Sequence, residues 1–244
     1  MARAFEPHFS VDDSVVVFAS GVSNSLETRS SEFSREDSLL RELLTTRPRR
    51  FVYFSSCGVT AAESELTPYM WHKRSMESLV LSAPHGLVLR LPQVVGWTEN
   101  HHTLTNFLRD HILSGEHFTV WAHAERNLID IDDIVKIGVT LITELPTEAA
   151  TVSIAATQSL PMPEIVGIFE RVMGKAANCS YVGKGASMVI DTAMVESLSA
   201  RLGIELGDGY IERVIAKYYA ADRCRDISDT PPAVAGSNAS THST

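Results

Sequence analysis

Tyr69-Met70-Trp71-His72-Lys73 places a phenol and an amine at positions i and i+4. On a helix that spacing puts both side chains on one face. An ammonium beside a phenol favours the phenolate, which lowers its pKa from the ordinary ~10. So tuned, Tyr69 is an acid/base group near neutral pH. Ser55 and Ser56 precede it, and either hydroxyl can hydrogen-bond a substrate oxygen beside the phenol. Y-x-x-x-K alone is common on exposed helix faces, so the surrounding elements decide what the pair does.

Those elements alternate. Val15-Val16-Val17-Phe18-Ala19 is an apolar run stopping at Ser20-Gly21, which reads as a buried strand entering a tight turn. Ser31 to Leu44 carries Phe33, Leu39, Leu40, Leu43 and Leu44 at helical spacing with charges between them. Phe51 to Phe54 is a second buried strand ending at Ser55-Ser56-Cys57-Gly58, and a helix over Pro68 to Ser82 starts on its proline. Leu87 to Leu91 is a third strand, ending near Pro92. Strands and helices in this order predict a parallel sheet with crossover helices. Strands covered on both faces are apolar throughout, as these are.

Beyond Gly96 the pattern loosens. Leu104 to Leu113 predicts a helix, Phe118 to Trp121 and Asn127 to Ile131 strands, and Asp132-Asp133 a cap for a helix over Ile134 to Thr143. Thr151 to Ala155 reads as a last sheet strand. Pro163 to Met173, Thr192 to Leu202 and Ile211 to Tyr219 read as helices. From about Asp226 the chain turns to Ser, Thr, Pro, Ala and Gly, too polar to offset the entropy of ordering. The predicted organisation is a Rossmann-like core over 1–160, with 97–130 contributing to the substrate pocket. A small C-terminal substrate-binding part over 161–225 and a disordered tail over 226–244 follow.

The chain has 244 residues, 44% of them hydrophobic and 21% charged, an ordinary globular balance. Its net charge of -9 argues against nucleic acid as the main partner, since phosphate backbones call for a dense basic footprint. Cys57, Cys179 and Cys224 are too far apart for a disulfide framework or a zinc site, so no metal is expected and a reducing cytoplasm is the simpler compartment. No apolar run approaches the ~20 residues of a membrane helix, and the first residues lack a signal-peptide apolar region.

With strand, Ser-Ser, Y-x-x-x-K helix and the strand ending Arg90-Leu-Pro-Gln-Val-Val-Gly96 in order, the sequence resembles the extended short-chain dehydrogenase/reductases, the NAD-dependent nucleotide-sugar epimerase/dehydratase family. The resemblance runs from about Val15 to Leu145 and more weakly to Tyr219. It implies a Rossmann-like α/β fold and an NAD or NADP cofactor. Ser56, Tyr69 and Lys73 match the family's catalytic residues. Gln93 stands where the segment R-x-x-N-V-Y-G has its substrate-contacting Asn. Arg126 to Asp133 is similar to R-D-F-I-H-V-D-D, whose Arg holds the substrate diphosphate, a role suited to a guanidinium fork. Arg126 otherwise serves as a partner for Asp130 or Asp132.

The chain departs from the family at its start. The strand and G-x-x-G-x-x-G turn that cradle the pyrophosphate are not present, and Met1 to Phe5 looks like the helix that should follow them. Too few residues separate Phe5 from Val15 for the family's second and third strands. Either Met1 is an internal methionine of a longer chain, or the dinucleotide site has been lost. The Ala19-Ser20-Gly21 turn is then the best remaining cofactor contact, with Tyr69, Lys73 and Pro92. Val15 to Ala19 becomes an exposed sheet edge that invites a homodimer.

Cys57 with His101 or His102 forms a possible proton-moving pair across a sugar ring, as in related epimerase-reductases. The plainer reading is a small buried hydrophobe and two loop histidines that contact substrate hydroxyls or solvent. Trp97 and Trp121 can wall the pocket mouth or belong to the core. The family's 4,6-dehydratases follow the catalytic Ser/Thr with Asp-Glu, where this chain has Cys57-Gly58. The resemblance therefore implies a reductase or epimerase on a nucleotide-linked sugar. The alternative is a non-catalytic sugar-nucleotide-binding relative.

Overall fold

A computed structural model describes residues 1–220. The predicted tail, and Cys224, lie outside the described residues. In chain order the first half comprises α1 (Ala2–Phe9), β1 (Val15–Phe18), α2 (Ser30–Leu44), β2 (Arg50–Ser56), α3 (Pro68–Leu81), β3 (Gly86–Leu91) and β4 (Gln93–Val95). The second half comprises α4 (Leu104–Ser114), β5 (Phe118–Trp121), β6 (Glu125–Arg126), β7 (Leu128–Asp130), α5 (Ile131–Glu144) and β8 (Ala150–Ser153). After these come β9 (Leu160–Pro161), α6 (Met162–Met173), β10 (Cys179–Val182), α7 (Ala193–Arg201) and α8 (Tyr210–Tyr219).

The main sheet has order β1-β2-β3-β8 with every pair parallel, so the predicted α/β class holds and β1 forms one edge of the sheet. Alternation along the strands explains why they are apolar on both sides. Phe51, Tyr53, Val88 and Phe18 pack under α2 and α3 with Leu40, Met76 and Val80. Val52, Leu87, Leu89 and Val15 face the opposite way into a larger cluster with Phe5, Ile134, Ile137, Leu141 and Val152. That cluster continues through α6 and α7 to Tyr218 and Tyr219 of α8, so one apolar core joins the sheet to the C-terminal helices.

Local signals set the helix ends. Thr67 Oγ1 accepts from the Met70 N–H at 3.3 Å and Pro68 occupies the first turn of α3. Gly115 ends α4 in the left-handed region at φ 76°. The cap of α5 differs from the expectation. Asp130, not Asp132 or Asp133, occupies it, and its Oδ1 accepts from the Asp132 N–H at 3.0 Å. Asp130 is drawn inward by α8, whose Tyr218 hydroxyl donates to its Oδ1 at 2.7 Å and whose Lys217 donates to its Oδ2 at 2.6 Å. Tyr210 completes the clamp, accepting from the Asp130 N–H at 3.1 Å and donating to Asp133 at 2.7 Å. Arg50, fully buried at the start of β2, donates to the carbonyls of Leu145, Pro146 and Glu148 and so ties the end of α5 to the sheet.

Candidate functional site

The carboxyl ends of parallel strands, where strand gives way to loop, are where such sheets bind ligands. Here β1 runs into the Ala19–Val22 turn and β2 ends at Ser56. A short 3-10 turn over Cys57–Thr60 then leads toward α3. Tyr69 lies in the first turn of α3 and Lys73 one turn on, both buried. The Lys73 ammonium stands 5.8 Å from the centre of the Tyr69 ring. Among the described residues the Tyr69 hydroxyl has no hydrogen-bond partner, which leaves it for a ligand. The Ser56 hydroxyl is partly exposed and accepts from the Gly58 N–H at 3.1 Å.

Lys73 is held by residues that the motif does not contain. Its Nζ donates to Glu36 Oε1 at 3.1 Å and to the Tyr53 hydroxyl at 3.0 Å, and reaches the Phe54 carbonyl at 3.5 Å. Tyr53 donates in turn to Glu36 Oε1 at 2.6 Å. The other carboxylate oxygen accepts from the Val22 N–H at 2.5 Å and lies 3.0 Å from His72 Nε2. The His72 ring stacks on Phe33. Glu36 and Tyr53 are fully buried; Tyr53 was read only as part of a buried strand and Glu36 only as part of a helix, neither as a site residue. The signal was present. Glu36 stands between Phe33 and Leu40 in the apolar stripe of α2, where a carboxylate needs an internal partner.

This carboxylate reverses one expectation. Burial raises the pKa of Tyr69 to about 12, and the Glu36 charge pushes the same way, so Lys73 does not make it acidic. The Lys73 charge is already matched by Glu36. Burial alone would raise Glu36. The His72 ring, the Lys73 charge and the hydrogen bonds from Tyr53 and Val22 outweigh it and hold the carboxyl at about 2. Burial draws the pKa of Lys73 down against the pull of Glu36.

The turn residues Ala19, Ser20 and Gly21 lie over this network. A Cβ on Gly21 would stand 2.7 Å from Glu36 Oε1 and 2.8 Å from Lys73 Nζ. Arg35 holds the turn from outside, donating to the Ser20 carbonyl at 3.2 Å. Pro92 and Gln93 are half-buried where β3 passes into β4, and the Gln93 N–H is taken by the Asn127 carbonyl at 3.1 Å.

Arg126 is half-buried on β6 and donates to the carbonyl of Glu125 at 2.7 Å. Asp130 and Asp132, the alternative partners weighed for it, both pair with Lys217. No carboxylate pairs with Arg126 among the described residues, and burial pulls its pKa down.

Cys57 is buried and its thiol is pushed up to about 12, chiefly by burial. His101 and His102 are exposed before α4, and His101 Nδ1 lies 2.8 Å from Asp110. No hydrogen bond joins Cys57 to either histidine among the described residues. Beside Cys57, the Arg90 guanidinium forms a two-pronged pair with Glu77 of α3 at 2.9 and 2.6 Å. Trp97 is exposed and meets the Tyr218 ring edge-on at 5.3 Å, and Trp121 is also exposed. Among the described residues no helix is long and apolar enough to cross a membrane.

Solved structures share this architecture. One is "MoeE5 in complex with UDP-glucuronic acid and NAD", with TM-score 0.69 at 19% identity, covering 88% of this chain and 80% of that one. A second is the UDP-N-acetylglucosamine 4-epimerase from Methanobrevibacter ruminantium M1 in complex with UDP-N-acetylmuramic acid. Its TM-score is 0.69 at 15% identity, covering 87% of this chain and 77% of that one. A third is TunA, described as an NAD dependent-NDP-hexosamine 5,6-dehydratase involved in tunicamycin biosynthesis. Its TM-score is 0.68 at 20% identity, covering 88% and 78%. At these identities the likeness establishes the fold. No curated protein sequence matches the chain. Residues 9–155, more than half of the chain, match the NAD dependent epimerase/dehydratase family, so the chain belongs to that family, whose cofactor is NAD or NADP.

Proposed function

We propose that this chain is an oxidoreductase or epimerase of nucleotide-linked sugars that works through Ser56, Tyr69 and Lys73. The observation that carries the reading is Tyr69, a phenol with an unspent hydroxyl, one helical turn from a buried ammonium at the carboxyl edge of a parallel sheet. The unpaired Arg126 supports a phosphorylated substrate, because a half-buried guanidinium without a carboxylate is a ready partner for a diphosphate. The nucleotide sugars bound to MoeE5 and to the Methanobrevibacter epimerase are of that class. Cys57-Gly58 after Ser56 argues against 4,6-dehydration.

The residues present fit the nicotinamide end of a dinucleotide. Gly21 lies over Lys73, where a Cβ would stand 2.8 Å from its Nζ, and the longest Lys73 contact, 3.5 Å to the Phe54 carbonyl, is the one a ribose hydroxyl would replace. Ala19, Ser20, Gly21, Tyr69, Lys73 and Pro92 would hold the group, which supplies hydride transfer when bound. Ser56 orients the substrate oxygen. Tyr69 holds the proton that this oxygen gains or loses. The described part of 161–225 and segment 97–130 shape the sugar side. The acidic balance of the chain suits a small-molecule partner rather than nucleic acid, and the edge strand β1 suits a homodimer.

A non-catalytic sugar-nucleotide binder is favoured by one observation, the full engagement of Lys73 by Glu36, Tyr53 and Phe54. Titration of the chain with NADH and NADPH, read by nicotinamide fluorescence, decides between the two. The enzyme reading expects saturable binding that weakens in Lys73→Ala. No binding up to millimolar by a folded chain refutes it.

A further inference from the structure

We propose that Glu36 is a positioning residue of this site: one buried carboxylate holds Lys73 and the Ser20–Val22 turn together and balances the Lys73 charge beside the Tyr69 ring. The inference rests on the roles given above to Tyr69 and Lys73, and it names the residue that sets the charge around them.

Four groups from three parts of the chain converge on Glu36. The Val22 N–H comes from the turn, the Tyr53 hydroxyl from β2, and Lys73 and His72 from α3. Glu36 has no exposure to water. Charges buried without water must be matched by neighbours. The pairing of Glu36 with Lys73 leaves almost no net charge beside the Tyr69 ring. Glu77, one turn beyond Lys73 on α3, is paired with Arg90 of β3, and Arg35 on the outer face of α2 binds the Ser20 carbonyl.

A phenol with no net positive neighbour stays protonated at neutral pH, consistent with the raised pKa of Tyr69. A protonated Tyr69 can serve as the proton donor to a carbonyl oxygen. Its O–H proton passes to a substrate carbonyl oxygen while a hydride from NADH or NADPH adds to the carbonyl carbon. The C=O becomes CH–OH, the nicotinamide is left oxidised, and the tyrosinate regains a proton from water.

The test needs neither cofactor nor substrate. The full chain is labelled with 13Cζ-tyrosine, and Tyr69→Phe assigns the Tyr69 resonance. In the native chain that resonance should stay fixed through the ordinary tyrosine range near pH ~10. Glu36→Gln should lower its midpoint by about one pH unit or more. Adding Lys73→Met to Glu36→Gln should raise it again, because the unmatched ammonium is then gone. A native midpoint at or below the ordinary value, or equal midpoints in the native chain and Glu36→Gln, overturns the proposal.

If Glu36→Gln does not fold, melting temperatures serve instead. Glu36→Gln/Lys73→Met should then regain a cooperative melt, since removing both charges harms a buried pair less than removing one. A double variant that also fails to fold overturns it. A chain that shows the titration shift but binds no dinucleotide refutes the enzyme reading alone. A chain that binds NADH but lacks the shift refutes the role of Glu36 alone.

Discussion

Two glycines near the site meet the same apparent obstacle and should tolerate alanine very differently. At Gly21 a Cβ would lie 2.7 Å from Glu36 Oε1 and 2.8 Å from Lys73 Nζ. At Gly58 it would lie 2.8 Å from Met70 Cε. The distances match, but the neighbours do not. The Met70 methyl is the tip of a flexible side chain and can swing aside. Glu36 cannot retreat, because Tyr53 and the Val22 N–H hold its oxygens, and Lys73 is held by Tyr53 and Glu36 itself. Gly21→Ala must therefore either part a buried ion pair or lift the turn off it. Overpacking of this kind costs about 1–3 kcal/mol. For a chain of this size that is a fall in Tm of roughly 2–12 °C. Gly58→Ala should cost under about 1 kcal/mol. Scanning calorimetry or urea unfolding of both variants beside the native chain measures the contrast. Equal losses in the two variants, or a Gly21→Ala chain as stable as the native one, would refute the claim that the turn is seated on a rigid ion pair.

Two further outcomes follow from buried charge. Glu36 is depressed to about 2 in the folded chain, against an unfolded value near ~4.3. A depressed carboxyl stabilises the fold above its unfolded pKa and loses that contribution as pH falls through its folded pKa. The loss therefore runs from about pH 4.3 down to about 2 and amounts to roughly 3 kcal/mol. Urea midpoints from pH 5 downward should fall less steeply in Glu36→Gln than in the native chain, and parallel curves would contradict this. Arg50→Met should destabilise by about 3 kcal/mol or more, because three carbonyls lose a charged donor in the interior. Its unfolding midpoint should drop while any NADH affinity of the folded fraction is retained.

The first half of the fold was legible because its cues are local. Val15 to Phe18, the run from Phe51 and that from Leu87 are apolar over strand length, and Thr67-Pro68 announces α3 within its own residues. The Asp130-Ile131-Asp132-Asp133 stretch shows the limit. Three carboxylates compete for one cap, and the choice is made by Tyr218 and Lys217 far along the chain. The strand β10 went unread for a similar reason, since Cys179–Val182 has little strand character until it pairs with β5. At the candidate site, spacing pointed to Tyr69 and Lys73 and resemblance to Ser56. The acidity of Tyr69 was misjudged because spacing along one helix shows only Lys73, whereas its counter-charge arrives from α2. A motif reports who shares a helix face; it does not report who comes across to meet them.

The clamp between α8 and Asp130 has a consequence for the order in which the chain matures. Asp130, at 4% exposure, depends on hydroxyl and ammonium groups made some eighty residues later, with separations of 80, 87 and 88 positions. As the chain leaves the ribosome, the four strands of the main sheet emerge well before α8. Asp130 must then stay hydrated, and the large apolar cluster must stay unsealed, until α8 arrives. Contacts of such long range slow folding and leave apolar surface open meanwhile. The nascent sheet therefore passes through a stage in which chaperones and proteases compete with α8.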